Sequence, residues 1–275
     1  MRRRIACLAL LAIPLVVDAG ESVDESLESR RRGLEALPEL LPYVDAEDPD
    51  LRVRSRHLVK QIVMDHLQAS TPPGMRLIPG RLVVSCRGVS MEKGLYLGIH
   101  EVTLGEFRRF LKHRRLDGAR WSQGEARHPV ASVSLQEARA YAKWRGARIP
   151  TLAELEWAAT GGGRYLYPWG DRFSPVRINS REAGRGQCEP VGSRPRGLSV
   201  HGVADLRGNV AEWTETPTGR PTARRFLAVG GSFRGAARGA RFVTYTLAAE
   251  ARLDDLGFRL ARSLPPLPVA APRGS

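Results

Sequence analysis

The sequence predicts an α+β, loop-rich domain preceded by a small helical pair. Three observations lead there. Three segments carry a Ser or Thr cap, a Glu three positions on, and apolar residues at helical spacing behind it. Short strand-like runs lie between turn signals. Glycine (28) and proline (19) are plentiful among 275 residues, which suits turns better than a helical bundle. That length holds one large domain and a small accessory segment, and a hydrophobic fraction of 42% supplies a core.

Taken in order, Arg2-Arg3-Arg4 and the apolar run 5–17 read as an export signal, residues 1–19, with a cut after Ala19. The run is shorter than the ~20 residues a membrane span needs, so the mature chain is expected to be extracytoplasmic, secreted or periplasmic, without a stable span. Residues 20–33 are charged and aperiodic, a flexible lead. Residues 34–69 read as two helices: Leu34, Leu37, Leu40 and Leu41 form one apolar face. Asp48 caps the second helix, Pro49 starts it, and Leu51, Leu58, Val59, Ile62, Val63 and Leu67 form its apolar positions. The pair looks like one HEAT-type repeat. A single repeat cannot bury its own face, so it packs on the main domain or a partner.

Ser70-Thr71-Pro72-Pro73-Gly74 is a linker, and the main domain covers 75–262. Residues 76–85 are strand-like. Helices are expected over 104–114, 134–145 and 151–160, capped by Thr103, Ser134 and Thr151 with Glu106, Glu137 and Glu154 closing the boxes. Ala138, Tyr141 and Trp144 face inward, and Gly161-Gly162-Gly163 ends the third helix. Residues 263–275 are a proline-rich, disordered tail.

The net charge of +14 comes from thirty-nine arginines and four lysines spread through every segment. No nucleic-acid motif accompanies them, so the charge is read as compositional, with no nucleic-acid partner. Removal of the signal leaves Cys86 and Cys188, which either pair in a disulfide or remain buried thiols.

The chemistry concentrates in Asp205-Leu206-Arg207-Gly208-Asn209-Val210-Ala211-Glu212-Trp213. Two carboxylates flank a Gly-Asn turn rich in carbonyls, a donor set suited to a hard cation such as calcium. The plainer reading is a structural turn with Glu212 capping backbone amides.

These residues form part of a longer series of blocks: Gly74 to Gly80, Glu101-Val102-Thr103, His128-Pro129-Val130, Arg148-Ile149-Pro150-Thr151, Tyr167-Pro168-Trp169-Gly170, Pro190-Val191-Gly192-Ser193, Gly230-Gly231-Ser232-Phe233 and Gly257-Phe258-Arg259. In this order they resemble the formylglycine-generating enzyme family, also called sulfatase-modifying factor domains. The resemblance implies the family's variant of the C-type-lectin fold. It implies calcium held by Asp205, Gly208, Val210 and Glu212. Asn179 and Ser180 match the start of a second family calcium site, which calls for an acidic residue in a longer loop; residues 182–187 are short and basic, and the survival of that site stays open.

The copper site of the resembled family departs from the pattern. Its oxidases hold copper(I) through cysteines three and eight residues after the serine of Gly-Gly-Ser. Counting from Ser232 reaches Gly235 and Ala240, neither of them the soft ligand copper(I) requires. Non-heme iron relatives take histidines from an added domain. Here His57, His66, His100, His113, His128 and His201 form no metal-binding spacing, and the place of iron stays open. Gly-Gly-Ser is no nucleophile elbow, the glycine run at 161–163 lacks a phosphate-loop lysine, and Trp144, Trp157, Trp169 and Trp213 read as core. Two functions remain. One is a calcium-stabilised binding or scaffold module for a protein or peptide. The other is an oxidoreductase or peptide-maturation enzyme using other residues.

Overall fold

The structure, a computed structural model, describes residues 32–85, 88–219, 225–238 and 242–267. The signal segment, most of the lead, Cys86, Ala240 and residues 268–275 lie outside them. Compactness divides the described residues into one unit holding 32–70, 79–93 and 265–267, and another holding 71–78 and 94–264.

In the first unit the leucine-rich run becomes a short helix α1 (Leu37–Leu40) between 3-10 turns at Gly33–Ala36 and Leu41–Tyr43. Helix α2 (Pro49–Ala69) starts at Asp48, whose carboxylate accepts from the N–H groups of Asp50 and Leu51. Leu37, Leu40, Leu41, Val59, Ile62, Val63 and Leu67 are buried. The antiparallel hairpin of β2 (Arg81–Ser85) and β3 (Gly88–Glu92) pairs only with itself and groups with this unit. The strand-like run 76–85 is therefore two strands, whose second half joins the helical pair rather than the main domain.

In the second unit, β1 (Met75–Ile78), β4 (Leu95–Gly98) and β9 (Ala261–Ser263) form an antiparallel sheet in the order β1-β4-β9. Helices α3 (Leu104–Arg114), α4 (Leu135–Trp144) and α5 (Leu152–Thr160) begin at Thr103, Ser134 and Thr151, each with a complete reciprocal capping box. Gly161 ends α5 in the left-handed conformation, φ +60°. A second sheet has the order β7 (Thr244–Ala248), β6 (Arg225–Val229), β5 (Ala211–Thr218), β8 (Leu256–Gly257), with only β5 and β8 parallel.

One core cluster joins Ile78, Leu95 and Leu97 to Leu155, Ala158, Ala159 and Val229. An aromatic cluster locks α3 to α4: Phe107 lies 5.0 Å from Trp121 and 5.7 Å from Tyr141, and Tyr141 lies 5.5 Å from Phe258. Trp213 is fully buried and donates its indole N–H to the Val133 carbonyl at 2.9 Å. Trp157 departs from the core expectation, being 37% exposed. It lies on the face of α5 opposite Leu155, Ala158 and Ala159, and its ring covers Gly162 instead. No described helix is long and apolar enough to cross a membrane.

Removing the α3 cap by Thr103→Ala is expected to lower stability by about 1 kcal/mol. Urea denaturation measures this, and an unshifted midpoint would show that the box carries none of the stability.

Candidate functional site

The turn between residues 205 and 211 bends through three left-handed residues, Asp205 (φ +54°), Gly208 (φ +80°) and Asn209 (φ +58°). Gly208 is required twice over. Its φ favours glycine, and a Cβ there would stand 2.4 Å from the Asn179 carbonyl oxygen. Asn209 accepts the left-handed conformation better than most side chains.

Asn209 also binds the turn to its surroundings. Its Nδ2 donates to Glu101 Oε1 at 3.1 Å and to the Glu189 carbonyl at 3.3 Å. Its Oδ1 accepts from Asn179 Nδ2 at 3.2 Å and from the Glu189 N–H at 2.8 Å. Its backbone N–H donates to the Asn179 carbonyl at 2.7 Å, and its carbonyl accepts from Phe233 at 2.9 Å. One buried asparagine thus joins four chain segments and satisfies its whole amide.

The candidate ligands are brought together only in part. Asp205 points one oxygen, Oδ2, at the Gly192 N–H at 2.7 Å. Glu212, on β5 beside Val229 and Gly257, is buried and turned onto Arg259. Arg259 Nε and Nη2 each donate to one Glu212 oxygen at 2.6 Å. The guanidinium also reaches the Gly98 and Ala204 carbonyls at 3.1 Å. Gly208 and Val210 are both buried on the turn. Among the described residues, no group of three or more His, Cys, Asp and Glu side chains is placed to hold a metal ion.

The charge balance is uneven. The fields of Glu101, Asp205 and Glu212 converge on one guanidinium. Burial works against the Arg259 charge, but the charge and hydrogen bonds of Glu212, with Glu101 and Asp205, hold its pKa above the ordinary value. Glu101 is buried, and its Oε2 has no hydrogen-bond partner. Burial first, then the negative charges of Asp205 and Glu212, push its carboxyl well above the usual range, against the pull of Arg259. The bidentate geometry assigns the negative charge to Glu212 and the proton to Glu101.

The family's profile, described as the sulfatase-modifying factor enzyme 1-like domain, matches residues 71–264. The chain belongs to that family. It is 43% identical over 117 residues to the formylglycine-generating enzyme of Streptomyces coelicolor, covering 36% of each chain. It is 37% identical over 153 residues to the inactive C-alpha-formylglycine-generating enzyme 2 of Mus musculus, covering 49% of each. The hercynine oxygenase of Mycolicibacterium smegmatis is 38% identical over 93 residues, 32% of this chain and 22% of that one. The chain spans about a fifth to a half of the length of these curated relatives. Among solved structures, CarF shares the fold with a TM-score of 0.54 and 19% identity, over 70% of this chain and 98% of that one.

In this family member the segment after Gly-Gly-Ser is tied down by its neighbours. Ser232 Oγ donates to Asp255 Oδ2 at 2.6 Å, and the Gly235 carbonyl accepts from the Arg181 N–H at 3.0 Å. Glu182, two residues after Ser180, accepts from Ser180 Oγ and from the N–H groups of Ala237 and Arg238. Burial is the largest single influence and pushes the Glu182 carboxyl up, but these donors together outweigh it and hold the pKa down at about 2. The acid beside Asn179 and Ser180 therefore anchors the loop around Gly235. Beside it opens a polar pocket of about 550 Å³ lined by Pro175, Val176, Arg185, Glu189 and Arg194 among others.

Sequence reasoning placed Glu101 and Arg259 in motifs without giving them a role. The signal was present for Arg259: one arginine inside the apolar run Leu256 to Ala261 predicts a buried, partnered cation. For Glu101 only the fold supplies the argument, because its partner Asn209 is 108 positions away.

Arg259→Met leaves Glu212 buried without its cation, and a loss of about 3–5 kcal/mol is expected in denaturant unfolding. A variant as stable as the parent would contradict the pairing. Glu101 sets a pH dependence of the opposite sign to an ordinary paired carboxylate. The folded chain keeps its proton to higher pH than the unfolded chain. Its contribution is therefore complete below about 4.3, the ordinary glutamate value, and is lost as pH rises through the folded value. Glu101→Gln is expected to flatten the fall in melting temperature from mildly acidic to neutral pH in chelator. An unchanged slope would show that Glu101 does not hold the proton.

Proposed function

We propose that this family member is an exported, calcium-stabilised binding or scaffold module without formylglycine-generating activity. The observation that carries the reading is the pair Gly235 and Ala240 at the two positions where the copper route needs thiolates. The Gly235 position is held by backbone contacts rather than by chemistry-bearing side chains. The 37% identity to a mammalian relative named as inactive supports the same reading. A protein or peptide partner fits the polar loop surface around Arg185 and Arg194.

Calcium belongs to the proposal through Asp205, the Gly208 and Val210 carbonyls, and Glu212. The support is the surplus of carboxylates over cations and the unpartnered Glu101 oxygen. Arg259 already engages both Glu212 oxygens, so a bound calcium shares that carboxylate with it. The ion would stiffen the turn and supply no chemistry of its own.

A second reading, an oxidoreductase or peptide-maturation enzyme, is favoured by the identity to a hercynine oxygenase over 93 residues. It needs catalytic residues other than the copper cysteines.

Calcium at a hundredfold excess over its dissociation constant is expected to stabilise the chain by about 2.7 kcal/mol, and Glu212→Ala to abolish the gain. Equal melting temperatures in calcium and in chelator would remove calcium from the account. Incubation with copper(I), oxygen and a cysteine-containing sulfatase peptide is expected to leave the peptide mass unchanged. The mass loss of an aldehyde product would refute the non-copper reading. Export predicts a mature chain beginning at Gly20 in the native host, and N-terminal sequencing that finds Met1 in cytosolic protein contradicts it.

A further inference from the structure

Cys188 lies outside the calcium turn and takes no part in the reading above. It is a free, half-buried thiol. Its Sγ lies 3.9 Å from His128 Nδ1, across 60 positions of sequence. The other ring nitrogen, Nε2, lies 3.7 Å from Glu125 Oε2. A carboxylate on that side favours the tautomer protonated at Nε2 and leaves Nδ1 to accept the thiol proton.

Backbone contacts fix both segments. The His128 N–H donates to the Glu125 carbonyl at 3.1 Å, and the His128 carbonyl accepts from Leu104 at 2.8 Å. On the other side, the Gln187 carbonyl accepts from Asn179 Nδ2 at 3.0 Å and the Glu189 N–H donates to Asn209 Oδ1 at 2.8 Å. Burial raises the thiol pKa, and the negative charge of Asp254 adds to the rise. The resting group is a thiol that needs a base, and the arrangement is nucleophile, base and orienting acid.

The surroundings also select among reactions. Acyl transfer builds an oxyanion that needs backbone donors. The adjacent Glu189 N–H is already engaged by Asn209, and the Asp254 carboxylate opposes new negative charge on oxygen. Exchange with a disulfide needs no such donors.

We propose that Cys188, His128 and Glu125 form a thiol-exchange site that takes a disulfide as its substrate. As Sγ attacks one sulfur of the disulfide, His128 Nδ1 accepts the thiol proton. A bond forms between Sγ and that sulfur, the substrate S–S bond breaks, and the departing thiolate takes the proton back from His128. One disulfide is consumed and one formed, so no external oxidant is required. Glu125 steadies the imidazolium while the proton is held.

The test uses the full chain with Cys7→Ser and Cys86→Ser, leaving Cys188 as its one thiol, and dithiodipyridine as an uncharged disulfide probe. One equivalent of thiopyridone is expected, with a mixed disulfide on Cys188 by intact mass. His128→Gln is expected to slow release at least about tenfold, since general-base assistance is typically worth 10²–10⁴. Its rate should then climb steadily with pH as a simple thiolate titration. A wild-type or faster rate in His128→Gln, or a thiol inert until denaturant is added, overturns the proposal. Should His128→Gln fail to fold, the exposed Glu125→Gln decides alone: a several-fold slower rate supports the site and an equal rate overturns it.

Discussion

The second unit depends on one buried ion pair. Arg259 follows β8 and Glu212 lies on β5, and the parallel register of Glu212 with Gly257 brings them together. The guanidinium is wholly buried, so every donor must find an acceptor within the fold. Both carboxylate oxygens of Glu212 and the carbonyls of Gly98, Ile99 and Ala204 supply them. The end of β4, the chain leading into the turn, and β5 are thus held by a single side chain. Such a pair adds little net stability by itself, because desolvation offsets most of the attraction. Its effect is to tie the chain entering the turn at Ala204 to β5, beside a turn whose Gly208 and Asn209 N–H groups donate to the Gly230 and Asn179 carbonyls.

That arrangement separates scaffold from chemistry. The family's turn, its Asn209 hub and its capped helices are intact. The loop after Gly-Gly-Ser is held by Glu182 and Arg181, which supply hydrogen bonds but no soft ligand. The described part of this loop is therefore held by hydrogen bonds. Function in such a fold resides in the loops rather than the architecture.

The legible parts of the fold were those governed by local rules. Capping boxes at Thr103, Ser134 and Thr151 depend on residues three apart, and each helix starts where its box places it. The inward face of α4 followed from periodicity, with Ala138 and Tyr141 buried and Trp144 half-buried. The hairpin at residues 81–92 was not separated from β1, because two short strands and one long strand read alike when the turn between them carries only Pro79-Gly80. Within the site, the turn was readable from its glycine, asparagine and carboxylates. Its electrostatics were not, since Glu101, Asn179 and Arg259 join it from positions between 30 and 108 residues distant. Cys188 meeting His128 is a long-range fact of the same kind.

The central claim is a family scaffold that keeps its turn and has given up the copper oxidase. Metal analysis of the purified, full-length protein tests it most directly. The account predicts calcium as the only metal retained in stoichiometric amount, whereas one equivalent of copper or iron per chain would contradict it.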